Sequence, residues 1–334
     1  MKHRALLLTV LLLIVSVNSA VAGRSDFSLS PSGGYHWGHT LYKFELLGVI
    51  DDPDFPVGTG IGSELIFPMD FPTIGATAEF RYFTDDLPVW TVTAHFKKNV
   101  SDPGDVFTDR DWYAIPRGLI WNFSWTESEV GGSYTEFGVK AARLIAAADF
   151  WQVSLLVGVD YQKTSQEALG FAGAQYDVDD VSPVVDFYVF SDPRLALTYE
   201  ITYIIPRVGL APAIDFGGGA RLDLEAAFSP VLRIDDKDNH LLRNFRTESD
   251  GRGIGFVGLG TLRIDFGGGM VGQRPFLALD GSYSRFQADL GAVSTWYGDD
   301  PIDAEDNTGW RILGIPHEIQ SSQYSLGLRF GYAF

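Results

Sequence analysis

The chain has 334 residues, 46% of them apolar and 20% charged, with 37 glycines and no cysteine. That apolar share excludes intrinsic disorder, and the lack of cysteine excludes disulfide scaffolds, thiolate zinc sites, iron–sulfur clusters and cysteine nucleophiles together. With 25 basic against 43 acidic residues and a net charge of -18, the surface has the wrong sign for a nucleic-acid partner, whose phosphates need a basic face.

Residues 1–22 read as an export signal. Lys2 and Arg4 form a basic start, residues 5–17 are apolar apart from Thr9 and Ser16, and Ala20 and Ala22 put small residues where a signal peptidase cuts. A membrane helix needs ~20 apolar residues to cross ~30 Å of hydrocarbon, so this run is too short to be an anchor. Residues 23–334 are expected to form one domain, because no Pro/Ser linker or charge run divides them.

No later stretch is apolar for long enough to be a membrane helix, so an exported chain of this kind is either a soluble β protein or a membrane β-barrel. Alternation favours the barrel. Ile74, Ala76, Ala78, Phe80 and Tyr82 alternate with Thr73, Gly75, Thr77, Glu79 and Arg81, and Leu222, Leu224, Ala226 and Phe228 with Arg221, Asp223, Glu225 and Ala227. At the end of the chain Tyr324, Leu326, Leu328, Phe330, Tyr332 and Phe334 fall on one face, while Ser325, Gly327, Arg329, Gly331 and Ala333 fall on the other. This is the pattern of a strand with lipid outside and a polar lumen inside. A terminal Phe after such a strand resembles the assembly signal of outer-membrane barrels.

Short turns are expected at 84–88, 149–150, 217–219 and 267–269. Long polar connections are expected near 51–60, 100–130, 177–195, 236–252 and 293–318. The reading is all-β: a ten-stranded antiparallel transmembrane β-barrel, with long extracellular loops and short periplasmic turns. Ten strands leave no wide pore, and several of them exceed the ~10 residues needed to cross a bilayer. A tall rim suits a site held above the membrane better than it suits a channel.

Of the six histidines, only His240 has an acid two positions before it. On a strand, Asp236, Asp238 and His240 share a face. A carboxylate beside an imidazole holds one tautomer and raises its basicity, giving a base able to take a proton from water. The bland alternative is a loop histidine in an acid-rich stretch. Asp109 and Asp111 are a second pair at i and i+2, able to share a water or a proton because both ionise unfavourably at close range. Asp52 and Asp54 repeat that spacing in an expected loop. His36 and His39 fall on opposite strand faces and make a poor metal pair. Neither a metal nor a cofactor is expected.

The two acidic motifs, in this order and on the long-loop side, resemble the omptin family of outer-membrane proteases. The similarity extends to Trp125-Thr126-Glu127-Ser128, Val159-Asp160-Tyr161-Gln162, Gly170-Phe171, Tyr176, Leu197-Thr198-Tyr199, the run 205–210 and the closing Gly327-Leu328-Arg329-Phe330. It covers most of residues 27–334, with strand one and the fifth loop loosely aligned.

The resemblance implies an endopeptidase whose groove lies at the extracellular rim of a barrel in the outer membrane of a Gram-negative-type bacterium. Asp109 and Asp111 resemble the family's aspartate couple, and Asp238 and His240 its Asp–His couple. Water between the couples would attack the scissile carbonyl. Asp236 matches an acid that helps to receive a basic substrate side chain. Its partner acid in strand one has no counterpart, since Gly38, His39 and Thr40 stand in that neighbourhood. Asn239 stands where the family often has an acid. The implied partners are peptide or protein substrates and outer-membrane lipid, which in this family includes lipopolysaccharide, although the basic and aromatic residues that bind it in the best-known members are largely missing here and Lys163, Ser165 and Thr202 fall at or near their places. A monomer is expected. The competing reading is a non-catalytic outer-membrane barrel, serving as an adhesin, an assembly factor or a small-solute pore. Neither role requires Asp109, Asp111, Asp238 and His240 together.

Overall fold

The computed structural model describes residues 24–46, 59–84, 87–115, 119–176, 187–267, 274–299, 301 and 306–334. The export signal at 1–22, Asp52 and Asp54 lie outside them. Twelve strands follow one another: β1 (Arg24–Leu46), β2 (Gly60–Pro68), β3 (Phe71–Thr84), β4 (Leu87–Asn99), β5 (Phe107–Ile115), β6 (Leu119–Ala147), β7 (Trp151–Tyr176), β8 (Phe187–Gly217), β9 (Ala220–His240), β10 (Phe245–Asp265), β11 (Arg274–Trp296) and β12 (Arg311–Ala333). All pairings are antiparallel, and β12 returns to β1 to close the ring. The closure runs from Ser28↔Ala333 to Phe44↔His317. Phe334 finishes it by exchanging backbone hydrogen bonds with Phe27.

The count corrects the sequence reading. Two of the ten expected strands are each broken in two. β1 pairs with β3 up to His36 and with β2 from His39, while β6 pairs with β5 up to Ser128 and with β4 from Thr135. β2 with β3, and β4 with β5, therefore each fill one place, giving twelve strands in ten positions. Pro68 and Pro72 flank the first break and have no N–H for a ladder. Met69 instead donates its N–H to the Gly38 carbonyl at 2.9 Å. Gly38 holds φ +135°, and a Cβ there would press into the Ser322 carbonyl, so only glycine suits this crossing.

At the second break, side chains replace the ladder. The Asn99 amide donates to Gly132 O and accepts from Tyr134 N at 2.9 and 2.8 Å, and Asp102 accepts from Gly132 N at 2.8 Å.

A second correction concerns the connections. Residues 236–252, expected as a long loop, are strand on both sides of a four-residue turn at 241–244, where Asn244 takes φ +54°. Much of 107–130 is also strand.

Outward side chains form an apolar band. Leu326, Leu328 and Phe330 on β12, Phe27 and Leu29 on β1, and Leu155, Val157 and Val159 on β7 are all exposed. At its upper edge Trp37 stacks on Tyr324 and Tyr283 tilts against Tyr324 at 35°, in the manner of the aromatic girdle of a membrane barrel. Inside the band the lumen is charged but paired. Arg207 Nε meets Asp160 at 2.8 Å and its far end meets Glu225, while Lys140 reaches Glu225 at 2.5 Å. Arg263 meets Asp265 at 2.7 Å, and Arg329 clasps Asp280 with two nitrogens at 2.5 and 2.8 Å. Pairing is what makes charge tolerable there, since an unpaired buried ion costs several kcal/mol. These groups surround a cavity of about 240 Å³.

The hydrophobic core sits higher, above the outer apolar band. Tyr42, Leu65, Phe67, Phe107, Tyr199, Ile201, Leu232, Ile234, Phe286 and Ile319 form one buried cluster drawn from β1, β2, β5, β8, β9, β11 and β12. The strands continue past the membrane, and out there the interior must be apolar to hold them together in water.

Candidate active site

The site lies on top of that cluster. On β9 the inward positions Leu232, Ile234, Asp236 and Asp238 are buried and His240 is partly buried, while Arg233, Asp235 and Lys237 face out. On β5, Phe107 joins the core and Asp109 and Asp111 follow it upward on the same face. The ring places β5 and β9 on different sides of the interior, so the couples approach across the barrel rather than along one sheet.

His240 Nε2 and Asp238 Oδ2 are 2.8 Å apart. An ionised carboxylate only accepts, so Nε2 carries the proton and Nδ1 keeps the lone pair. Phe245 stacks on the imidazole at 4.3 Å and 17°, and Trp296 backs Phe245 at 5.2 Å. The guanidinium of Arg243, in the turn, lies 5.2 Å from the centre of the Phe245 ring.

Ser63 on β2 donates its hydroxyl to Asp109 Oδ1 at 3.3 Å. Burial pushes the Asp109 carboxyl well above the usual range, and the charges of Asp111 and Asp238 push it further, against the Ser63 hydroxyl. Asp111 is also raised by burial, offset by the Ser63 hydroxyl, His240 and Arg243. Both members of the couple are thus biased towards holding a proton, Asp109 more strongly than Asp111. These mutual influences join Asp109 to Asp238 and Asp111 to His240, so the four expected residues converge on one place.

Asp236 lies beneath them, 1% exposed. Its Oδ1 accepts from the Ser249 hydroxyl, the residue directly opposite on β10. Its Oδ2 is 3.8 Å from His317 Nε2 on β12. Burial, with Asp238 and Asp235 adding to it and the Ser249 hydroxyl opposing, pushes Asp236 up to about 8. Burial holds His317 down to about 4.

Sequence reasoning missed Ser63, Ser249, Phe245 and His317. The histidine has no acid at i−2, and only the closing of the ring brings β12 to face β9. His36 is buried and His39 exposed, on opposite faces as expected. No group of three or more His, Asp or Glu able to hold a metal occurs among the described residues.

Fold and site together define a membrane β-barrel of the outer-membrane type with an acid–histidine cluster inside one rim. Residues 71–332 match the model of the omptin family, and the chain belongs to that family of outer-membrane proteases. Among solved structures it is similar to the outer membrane protease OmpT from Escherichia coli, with a TM-score of 0.71 at 12% identity over 95% of this chain and 99% of that one. The translocator domain of the autotransporter NalP from Neisseria meningitidis aligns over 97% of this chain and 95% of its own at 11% identity, with a TM-score of 0.35. No curated protein matches the sequence.

Proposed function

We propose that the protein is an endopeptidase in which His240 activates a water against the scissile carbonyl. Asp238 accepts the Nε2–H, which leaves Nδ1 to take the water's proton, and it stabilises the imidazolium that forms. The resulting oxyanion receives a hydrogen bond from the proton held by Asp109, with Asp111 as the ionised member of the couple. Collapse of the tetrahedral intermediate expels the amine, which takes the proton back from His240.

The observation that carries the reading is the convergence, above a closed core, of the 2.8 Å Asp238–His240 contact with a carboxyl pair whose members are both raised by burial. An adhesin or a pore needs neither. Asp236 supplies the negative end of the substrate pocket and favours a basic side chain beside the cleaved bond. We place the rim outside the cell, with residues 1–22 removed on export and the barrel acting as a monomer. Lipopolysaccharide would contact the outer wall near Lys163.

The deciding experiment is incubation of the refolded barrel with a mixed peptide library, with and without lipopolysaccharide. Cleavage by the parent and not by His240→Ala supports the assignment. A correctly folded parent that cleaves nothing makes the non-catalytic barrel the better reading.

A further inference from the structure

Beneath the catalytic couples, several buried polar atoms have no hydrogen-bond partner among the described residues: Asp236 Oδ2, both ring nitrogens of His317 and the Tyr199 hydroxyl. At 3.8 Å the Asp236–His317 contact is too long for a hydrogen bond. Tyr199 lies within electrostatic reach of Asp236. Leaving a buried polar atom unpaired costs about 1–3 kcal/mol, so a set of them kept around one point marks the place where an outside group is received. The walls are aromatic. Tyr42 lies against His317 at 4.3 Å, and Phe67 stacks on Tyr199 at 3.8 Å.

Resting on the proposed peptidase reading, we infer that this pocket takes the substrate side chain beside the cleaved bond and that His317 makes it a lysine pocket rather than an arginine pocket. An ammonium carries three N–H donors on one atom and no acceptor. Once Asp236 is ionised, its Oδ2, a neutral imidazole nitrogen of His317 and the Tyr199 oxygen offer three acceptors. A guanidinium gains its advantage from a bidentate fork on both oxygens of a carboxylate. Here that fork is denied, because Ser249 already occupies Asp236 Oδ1, and an imidazole stands on the facing strand instead of a second acid. His317 is buried and held neutral through the working range, so it accepts rather than repels.

Two peptides that differ only in Lys or Arg at the cleaved position test this. The same folded barrels are also titrated with n-butylamine and n-butylguanidine, with binding followed by saturation-transfer NMR. The parent should cleave the Lys peptide about tenfold more efficiently, the effect of one hydrogen bond to a charged group. His317→Gln, which keeps an acceptor, should retain the preference, whereas His317→Glu, which restores a fork, should reverse it. Butylamine should bind the parent more tightly than butylguanidine does, and should lose that advantage in His317→Glu.

Equal or better cleavage of the Arg peptide by the parent overturns the inference. So does a ratio unmoved by His317→Glu while Asp236→Asn abolishes basic preference. Cleavage of neither peptide, together with selective, His317-dependent butylamine binding, would sink the peptidase reading and leave the lysine-type pocket standing. Absence of butylamine binding would mean that the unpaired atoms serve only ordered water, and would end the proposal.

Discussion

Asp238→Asn is the sharpest probe of the proposed base, because it changes one atom at a position that is 1% exposed and so leaves the packing intact. In the parent, Asp238 Oδ2 accepts the Nε2–H of His240 at 2.8 Å, and its charge faces the imidazolium formed when water is deprotonated. Two unit charges ~4 Å apart interact by about 4 kcal/mol at an effective dielectric of ~20. The His240 side chain keeps 24% of its surface, so solvent screens part of this and about 1.5–2.5 kcal/mol remains. At about 1.4 kcal/mol per tenfold, kcat should fall roughly 10- to 70-fold. His240→Ala removes the base itself and should cost at least ~100-fold. A fluorogenic peptide and the refolded barrel in detergent give kcat and KM for both variants, with heat-resistant migration as the folding control. The reasoning fails if Asp238→Asn loses more than His240→Ala, or if His240→Ala turns over at nearly the parental rate.

Ser63→Ala removes the hydroxyl that opposes the rise of both Asp109 and Asp111, so the acidic limb of the pH–rate profile should move to higher pH. Activity near pH 6 should fall several-fold while activity near pH 9 holds, and an unmoved limb would refute the link. Asp236, raised to about 8, is charged only above that value. Preference for basic over neutral peptides should therefore strengthen between about pH 7 and 9, and a ratio flat over that range, or one surviving Asp236→Ala, would contradict its role. Deleting Phe334, whose backbone closes onto Phe27, should lower the amount of barrel inserted in the outer membrane more than it alters the folded fraction. Unchanged membrane levels would count against an assembly role.

The membrane half of the barrel was legible because lipid outside and charge inside enforce a strict period of two. The rim was not. Above the bilayer the outer face of a strand meets water and the inner face at the site carries acids, so the stretch containing Lys237, Glu248 and Arg252 has the composition of a loop while it pairs residue for residue. The break beside Met69 depends on a backbone bond to Gly38 and the one beside Asn99 on side chains that bond across strands, and no local pattern announces either. The Asp238–His240 couple could be read because i and i+2 share a face. The approach of Asp236 to His317 could not, since β9 and β12 are not neighbours in the ring. Asp160 and Arg207 were quoted as parts of a resemblance and prove to be partners of each other in the lumen.

The aromatic layer under the site also divides the molecule into two aqueous compartments. Tyr42, Phe67, Phe107, Tyr199 and Phe286 lie between the groove and the charged lumen, and their apolar rings oppose the passage of ions from one face to the other. The catalytic couples thus face the medium that bathes the rim, while the Arg207 and Arg329 clusters lie on the far side of the rings. In electrical terms that layer is insulation, setting the chemistry of the groove apart from the charges below it.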